Sequence, residues 1–445
     1  MSLSRRDIDH IFEALRSGRV PERGMDSFAV GTDRARTEMG RLLDLVDQGQ
    51  GVFKFLRGGY GCGKTFSARL TVADALDKGF AASFVVVSDN DLHFHKFDEL
   101  YRKVVGNLAT AACPRGALGD ILDRWVGRIE ESLIQGGADP DGPGFDTQVS
   151  ERIRDQVQAA TNGVAPADFT RVVQTIFACK QQGKLADATA LISWLSGSRN
   201  VSGSAKQAAG IRGEIGSPEA MAYLHGILAV VKAAGYKGMV LVIDEAETIL
   251  RMRKDVRGKS LNGIRQIIDD APNFSGLLWV FTGTPEFFDT RRGVGGLEPL
   301  DARIRFSTVG NFASPRQAQL ELQPFNAERL REVALKLRAL YPAQDRGQLE
   351  SKAGDDFVDR LVAQVTSAFG GDVGVVPRQF LRKFVEVMDL VDQEPDFDPA
   401  TELGLNRLPE LKELTETERR KAKGEPPYDA EPGDDGGYEP AALTW

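Results

Sequence analysis

Cysteine and histidine are scarce in this chain: three cysteines (Cys62, Cys113, Cys179) and four histidines among 445 residues. Their scatter offers neither a disulfide framework nor the ligand spacing of a zinc site, and it fits a reducing compartment. The pair His93 and His95 has no third ligand close by in sequence, which leaves it short of a metal set. No stretch approaches the ~20 apolar residues needed to span a bilayer, so no membrane partner is expected. The first residues, MSLSRRDIDHIFEALRSG, lack a signal peptide's apolar region and cleavage site, and a cytoplasmic location is expected. Internal repeats of solenoid period are missing too. So is a surplus of positive charge. The net charge is −8, of which the stretch from Ala422 to Trp445 supplies −5, leaving about −3 for the body. That balance argues against a DNA-coating protein but leaves room for a local basic patch.

What remains is an ordinary soluble composition, 42% hydrophobic and 27% charged. Residues 1–50 read as a helical lead-in of two pieces, IDHIFEALRSG and TDRARTEMGRLLDLVDQG, with Asp33, beside Thr32, as the N-cap of the second. Residues 51–324 read as an α/β core. The apolar strand in GVFKFLRG is followed by a glycine loop, the helix TFSARLTVADALDKG and the β-branched strand ASFVVVSD. MVLVIDE and GLLWVFTG are nearly continuous apolar runs, as central parallel strands should be. A helical insertion occupies about residues 110–220, and its apolar stripes read as a subdomain core. Residues 325–394 are helical again, and 395–445 form an acidic tail too poor in apolar surface to fold.

The glycine loop carries the chemistry. Gly58, Gly59, Tyr60, Gly61, Cys62, Gly63, Lys64 and Thr65 fit G-x-x-x-x-G-K-[ST] in full, between a strand and a helix, and Phe66 follows at once. Glycines allow successive backbone N–H groups to converge on phosphate oxygens, and the helix N-terminus adds partial positive charge. Lys64 reaches the β- and γ-phosphates, and Thr65 offers its hydroxyl to Mg²⁺. Val240–Ile243 then deliver Asp244 and Glu245 to a strand end, where α/β sheets bind ligands. Asp244 would hold Mg²⁺ through water, and Glu245 would polarise the attacking water. Together the two motifs predict binding and hydrolysis of a nucleoside triphosphate.

Five further candidates follow. Thr282, with Thr284 second, would stand between the loop and the acids near the γ-phosphate; either also suits a strand end. Arg303, with Arg305 second, would reach a neighbouring subunit's γ-phosphate, the alternative being a surface ion pair. Arg378, opening a helix behind Pro377, would lean over the nucleotide. Arg251, Arg253, Lys254, Arg257 and Lys259 put five bases in nine residues against one acid, either a patch for DNA phosphates or a solvated helix face. Asn90, after the second strand, would bond Glu245 or serve as a turn residue.

In the order GGYGCGKT, VLVIDE, FTGT, LDARIRF and VPRQFLR the chain resembles an AAA+ ATPase, and FAVGTDRARTEMGRLLDLV resembles the segment before the P-loop in the initiator and origin-recognition branch. More narrowly, YGCGKTF, AAGYKGMVLVIDEAETILR and PRQFLRKFVEVMD resemble the ATP-binding proteins of bacterial BREX phage-defence systems, over about residues 20–392. The resemblance implies a P-loop NTPase with a three-layer parallel sheet and a C-terminal helical lid over 325–394. It also implies ATP with Mg²⁺ as cofactors, a homo-oligomer with ATP between subunits, and work on DNA, expected to be duplex, beside a helicase or a methyltransferase. Two departures stand out. Sensor 1 in such proteins is commonly asparagine, here threonine, and about 50 mostly polar residues stand where initiator relatives carry a winged helix. A nucleotide-gated scaffold or sensor with slow turnover is the alternative. A small-molecule P-loop kinase would leave Arg303 and Arg378 unexplained.

Overall fold

The computed structural model describes residues 3–88, 92–368 and 376–402. Asn90, Gly374, Val375 and nearly all of the acidic tail lie outside the described residues.

Six strands form one sheet: β1 (Val52–Arg57), β2 (Ala81–Val86), β3 (Leu108–Ala109), β4 (Met239–Asp244), β5 (Leu277–Gly283) and β6 (Gln319–Glu321). Their order is β3-β2-β4-β5-β1-β6, parallel throughout except for the antiparallel β2/β3 pair. The apolar runs explain the middle of this order. Every residue of β4 and β5 is buried, as strands covered on both faces must be. The chain passes from β1 to β2 across a gap that β4 and β5 later fill, so the loops after β1, β4 and β5 meet at one carboxyl edge. The four expected strands are all present. The two short edge strands, β3 and β6, are additional.

Side-chain alternation divides the core. Leu278 and Val280 of β5 pack with Met39, Leu42 and Val46 of α2 (Asp33–Asp47) and with Ala68 and Ala75 of α3 (Lys64–Asp77). Leu277, Trp279 and Phe281 face the opposite layer, where the helices Ser217–Ala233 and Lys254–Asp270 cover the sheet. The insertion is helical, as expected. Trp125, Phe169, Trp194 and Tyr223 join it without a break to the core on this face. At α2 the N-cap is Thr32, with no side-chain bond to the helix, and Asp33 is the first helical residue.

A second core unites the two ends of the described chain. Ile11, Phe12 and Leu15 of α1 (Arg5–Arg16) pack with Leu330, Leu337, Phe380 and Met388 from helices Ala327–Leu340 and Val376–Gln393. Arg16 grips Asp389 through two bonds of 2.7 and 2.6 Å, and the Tyr341 hydroxyl donates to the same carboxylate at 2.8 Å. The lead-in residues therefore serve two bodies, α1 the helical one and α2 the sheet.

Lys54, in the middle of β1, is 1% exposed. Its ammonium donates to the carbonyls of Pro315 at 2.8 Å and Gln317 at 2.7 Å, and pairs with Glu38 at 2.7 Å. All three protons are used, so the buried charge is tolerable. The arrangement locks α2, β1 and the approach to β6 together. Lys54→Ala leaves Glu38 buried with only Arg41, and should cost about 3–5 kcal/mol in urea unfolding. Lys78→Ala, which loses only an exposed pair with Asp44, should cost less than about 1 kcal/mol.

Candidate functional site

The loop after β1 turns on glycines with left-handed backbone, Gly61 at φ +76° and Gly63 at φ +78°. A side chain would be strained at both positions. Gly63 caps α3, so the first amides of that helix open toward the loop's concavity. Lys64 begins the helix and folds back, donating to the carbonyls of Gly58 at 2.9 Å and Gly59 at 3.2 Å. The Tyr60 ring centroid lies 5.1 Å from its nitrogen.

Asp244 closes β4 and is 1% exposed. The Thr65 hydroxyl donates to its Oδ2 at 2.8 Å, and the Thr282 hydroxyl donates to its Oδ1 at 2.6 Å. Thr282 Oγ1 also accepts the Glu245 N–H at 3.0 Å. Thr282 is fully buried, and its hydroxyl is committed to orienting the two acids from behind. Thr284, the second choice, lines the cavity instead.

Glu245 adopts a left-handed backbone, φ +62°, one of two such non-glycine residues among those described. That conformation is unfavourable for a side-chain-bearing residue and swings the chain out of the strand beside the loop. The Glu245 side chain reaches water at the cavity mouth yet has protein around most of its bulk. Desolvation by these walls, and then the negative charges of Asp244 and Glu247, push its pKa up to about 7, while Lys64 and Arg251 pull it down. Glu247 is more deeply set. Its Oε1 is 3.6 Å from the Lys64 nitrogen, and burial pushes its pKa up against the pull of that lysine.

These groups border a cavity of about 420 Å³, a volume suited to a small ligand. One end is polar: Gly59, Gly61, Gly63, Lys64, Thr65, Glu245, Glu247 and Arg251. The other is apolar, walled by Leu15, Val20, Pro21, Phe28 and Val30 from the N-terminal region, by Phe66, and by Phe325, Val333 and Leu381 from the helical body. Arg378 stands at its rim and donates to the Gly18 carbonyl at 2.8 Å.

The cavity thus gathers most of the expected residues: Gly59, Tyr60, Gly61, Gly63, Lys64, Thr65, Phe66, Glu245 and Arg378. Gly58 and Cys62 belong to the loop's frame, where the Cys62 Cβ lies 3.1 Å from the position a Cβ on Gly58 would take. Arg303 is turned to Asp269 and the Pro299 carbonyl, and Arg305 to Asp301. One member of the basic run is corrected: Arg257 is buried, donating to the Met252 carbonyl at 3.0 Å. Arg251 is exposed and lines the cavity. Helical period explains Arg257, because it shares the inward face of Lys254–Asp270 with Leu261, Ile264 and Ile268. Arg253, Lys254 and Lys259 remain exposed. His93 bonds Glu99 at 2.9 Å and His95 lies 3.3 Å from Ser260. No group of three metal-ligating side chains occurs among the described residues.

Across residues 3–407 the chain matches the family model described as BREX system ATP-binding protein BrxC/D. The chain belongs to this family. Membership brings ATP binding, a role in BREX phage defence and other BREX components as partners. No curated protein matches the chain. Among the described residues, no helix is long and apolar enough to cross a membrane. Sequence reasoning missed Glu247, whose signal was the third acid in DEAE, and the apolar wall, whose members lie hundreds of residues apart.

A carboxylate with a raised pKa binds its proton more tightly when folded. The Glu245 penalty is therefore complete above about pH 7 and fades as pH falls toward the unfolded value near 4.5. In EDTA without nucleotide, Glu245→Gln should melt higher than the wild type at pH 8, and the gap should close by about pH 5. Equal melting temperatures at pH 8 would show that the walls around this acid cost its charged form nothing.

Proposed function

We propose that this chain is an ATP-hydrolysing AAA+ protein that oligomerises and couples its ATP cycle to DNA binding, remodelling or partner loading within a BREX-type defence system. The observation that carries the reading is the Thr65–Asp244 hydrogen bond, which joins the glycine loop to the acid pair beside one cavity. In this reading the triphosphate lies along the loop amides with Lys64 and Arg251, and the purine lies between the N-terminal wall and Phe325. The helices from 325 to 394 act as a lid, and Arg378 senses the nucleotide from it. Thr65 and Asp244 present the hard oxygen donors that suit Mg²⁺, with remaining ligands left to phosphate and water. Bound there, Mg²⁺ would neutralise charge on the β- and γ-phosphates. Glu245, held beside the phosphate end, orients the attacking water and accepts its proton. Thr282 keeps Asp244 and Glu245 in register. Arg303, or Arg305 behind it, would leave its intramolecular partner and complete a neighbour's site.

Purified protein should hydrolyse ATP at a rate per subunit that rises with protein concentration and with duplex DNA. Glu245→Gln should keep ATP binding and lower turnover at least about 100-fold. Arg303→Ala should lower turnover and spare ATP binding; full activity in that variant would move the finger to another arginine. Nucleotide-dependent assembly without turnover, insensitive to DNA, would identify a scaffold or sensor instead.

Arg253, Lys254 and Lys259 support the DNA half of the proposal. Reversing the charges of Arg253 and Lys254 should weaken duplex binding at low salt and flatten its salt dependence by about 0.9 log units for each phosphate no longer neutralised. Unchanged affinity would remove this patch from the DNA path.

A further inference from the structure

Glu247 is the residue of the cavity for which phosphate binding has no evident use. It is 9% exposed, its Oε1 lies 3.6 Å from the Lys64 nitrogen, and its Oε2 is buried with no hydrogen-bond partner. It lines the cavity that the glycine loop lines. A carboxylate has the wrong sign for a site that must hold a polyanion, and charges walled off from water are weakly screened. Nor does the position serve packing well, because a buried carboxylate with one oxygen unpaired is costly to keep.

Lys64 explains the placement. Two of its three protons go to the Gly58 and Gly59 carbonyls, which leaves one, and Glu247 is the anion beside it. A phosphate oxygen arriving at Lys64 must share that ammonium with Glu247 and endure its repulsion. A phosphate-free nucleoside would meet neither effect.

We propose that Glu247 is a positioning residue that competes with the incoming triphosphate for Lys64 and thereby keeps the chain's affinity for ATP low. The proposal rests on the reading of this cavity as the ATP site and adds to it a built-in opponent of phosphate binding. Such an opponent speeds the departure of spent nucleotide as well as limiting the arrival of fresh nucleotide.

Calorimetric titration at pH 8 with Mg²⁺ tests it, using ATP and adenosine as the two probes on the full chain. Glu247→Gln should bind ATP about tenfold more tightly than the wild type. Adenosine affinity should stay within about twofold, so the ratio of the two affinities moves. A merely structural role would shift both probes together. Glu247→Ala should shift the ratio in the same direction, and both variants should melt no lower than the wild type in the absence of nucleotide. An unchanged or weakened ATP affinity in Glu247→Gln, with the wild type binding ATP normally, overturns the competition. Loss of folding in both variants overturns it too, because the acid would then be structural. Failure of the wild type to bind ATP would be a different result, defeating the assignment of the cavity itself.

Discussion

The candidate site depends on a single buried carboxylate held from two sides. Asp244 takes one hydroxyl from the helix after β1 and another from the end of β5, so three separate stretches of chain are fixed around one group. Sheet register makes this possible: Ile243 lies opposite Phe281 and Leu56 opposite Thr282, which brings the three strand ends level. Both donors are neutral. The charge on Asp244 is therefore oriented without being cancelled, and with Glu245 and Glu247 it sets three acids against the two cations Lys64 and Arg251. That excess of acid adds to desolvation, the larger cause, in raising the pKa of the neighbouring Glu245.

The sheet was legible because each of its long strands carries a local signal. Continuous apolar runs mark β4 and β5, and the glycine loop marks the end of β1. The edge strands β3 and β6, of two and three residues, are too short to leave a periodic signature, and they exist only because a longer neighbour pairs with them. The polar half of the cavity was legible for the same local reason, since most of it comes from the glycine loop and from Glu245 at the end of β4. The apolar half was not. Leu15, Phe28, Phe325 and Leu381 meet only through tertiary packing, and no motif links them in sequence. Arg257 shows the reverse error. Counting bases along a run ignored the helical period that turns one of them inward.

The cavity lies at a seam. Its polar end is built on the sheet, whereas most of its apolar end belongs to the body formed by α1 and the late helices. Arg378, bonded to the Gly18 carbonyl, joins two parts of that second body at the rim. A ligand filling the space would touch both bodies at once. Ligand contact can then bias how the two sit together, which is the physical requirement for passing chemistry on to a partner.

The pairing of Arg16 with Asp389 has a consequence for biosynthesis. A ribosome makes α1 more than three hundred residues before the helix that receives it, so the apolar half of the cavity cannot close during most of translation. A nascent chain halted after β5 would carry the glycine loop and the acid pair without the late helices' share of the apolar wall. Only a chain synthesised through that last long helix acquires the whole wall of the cavity.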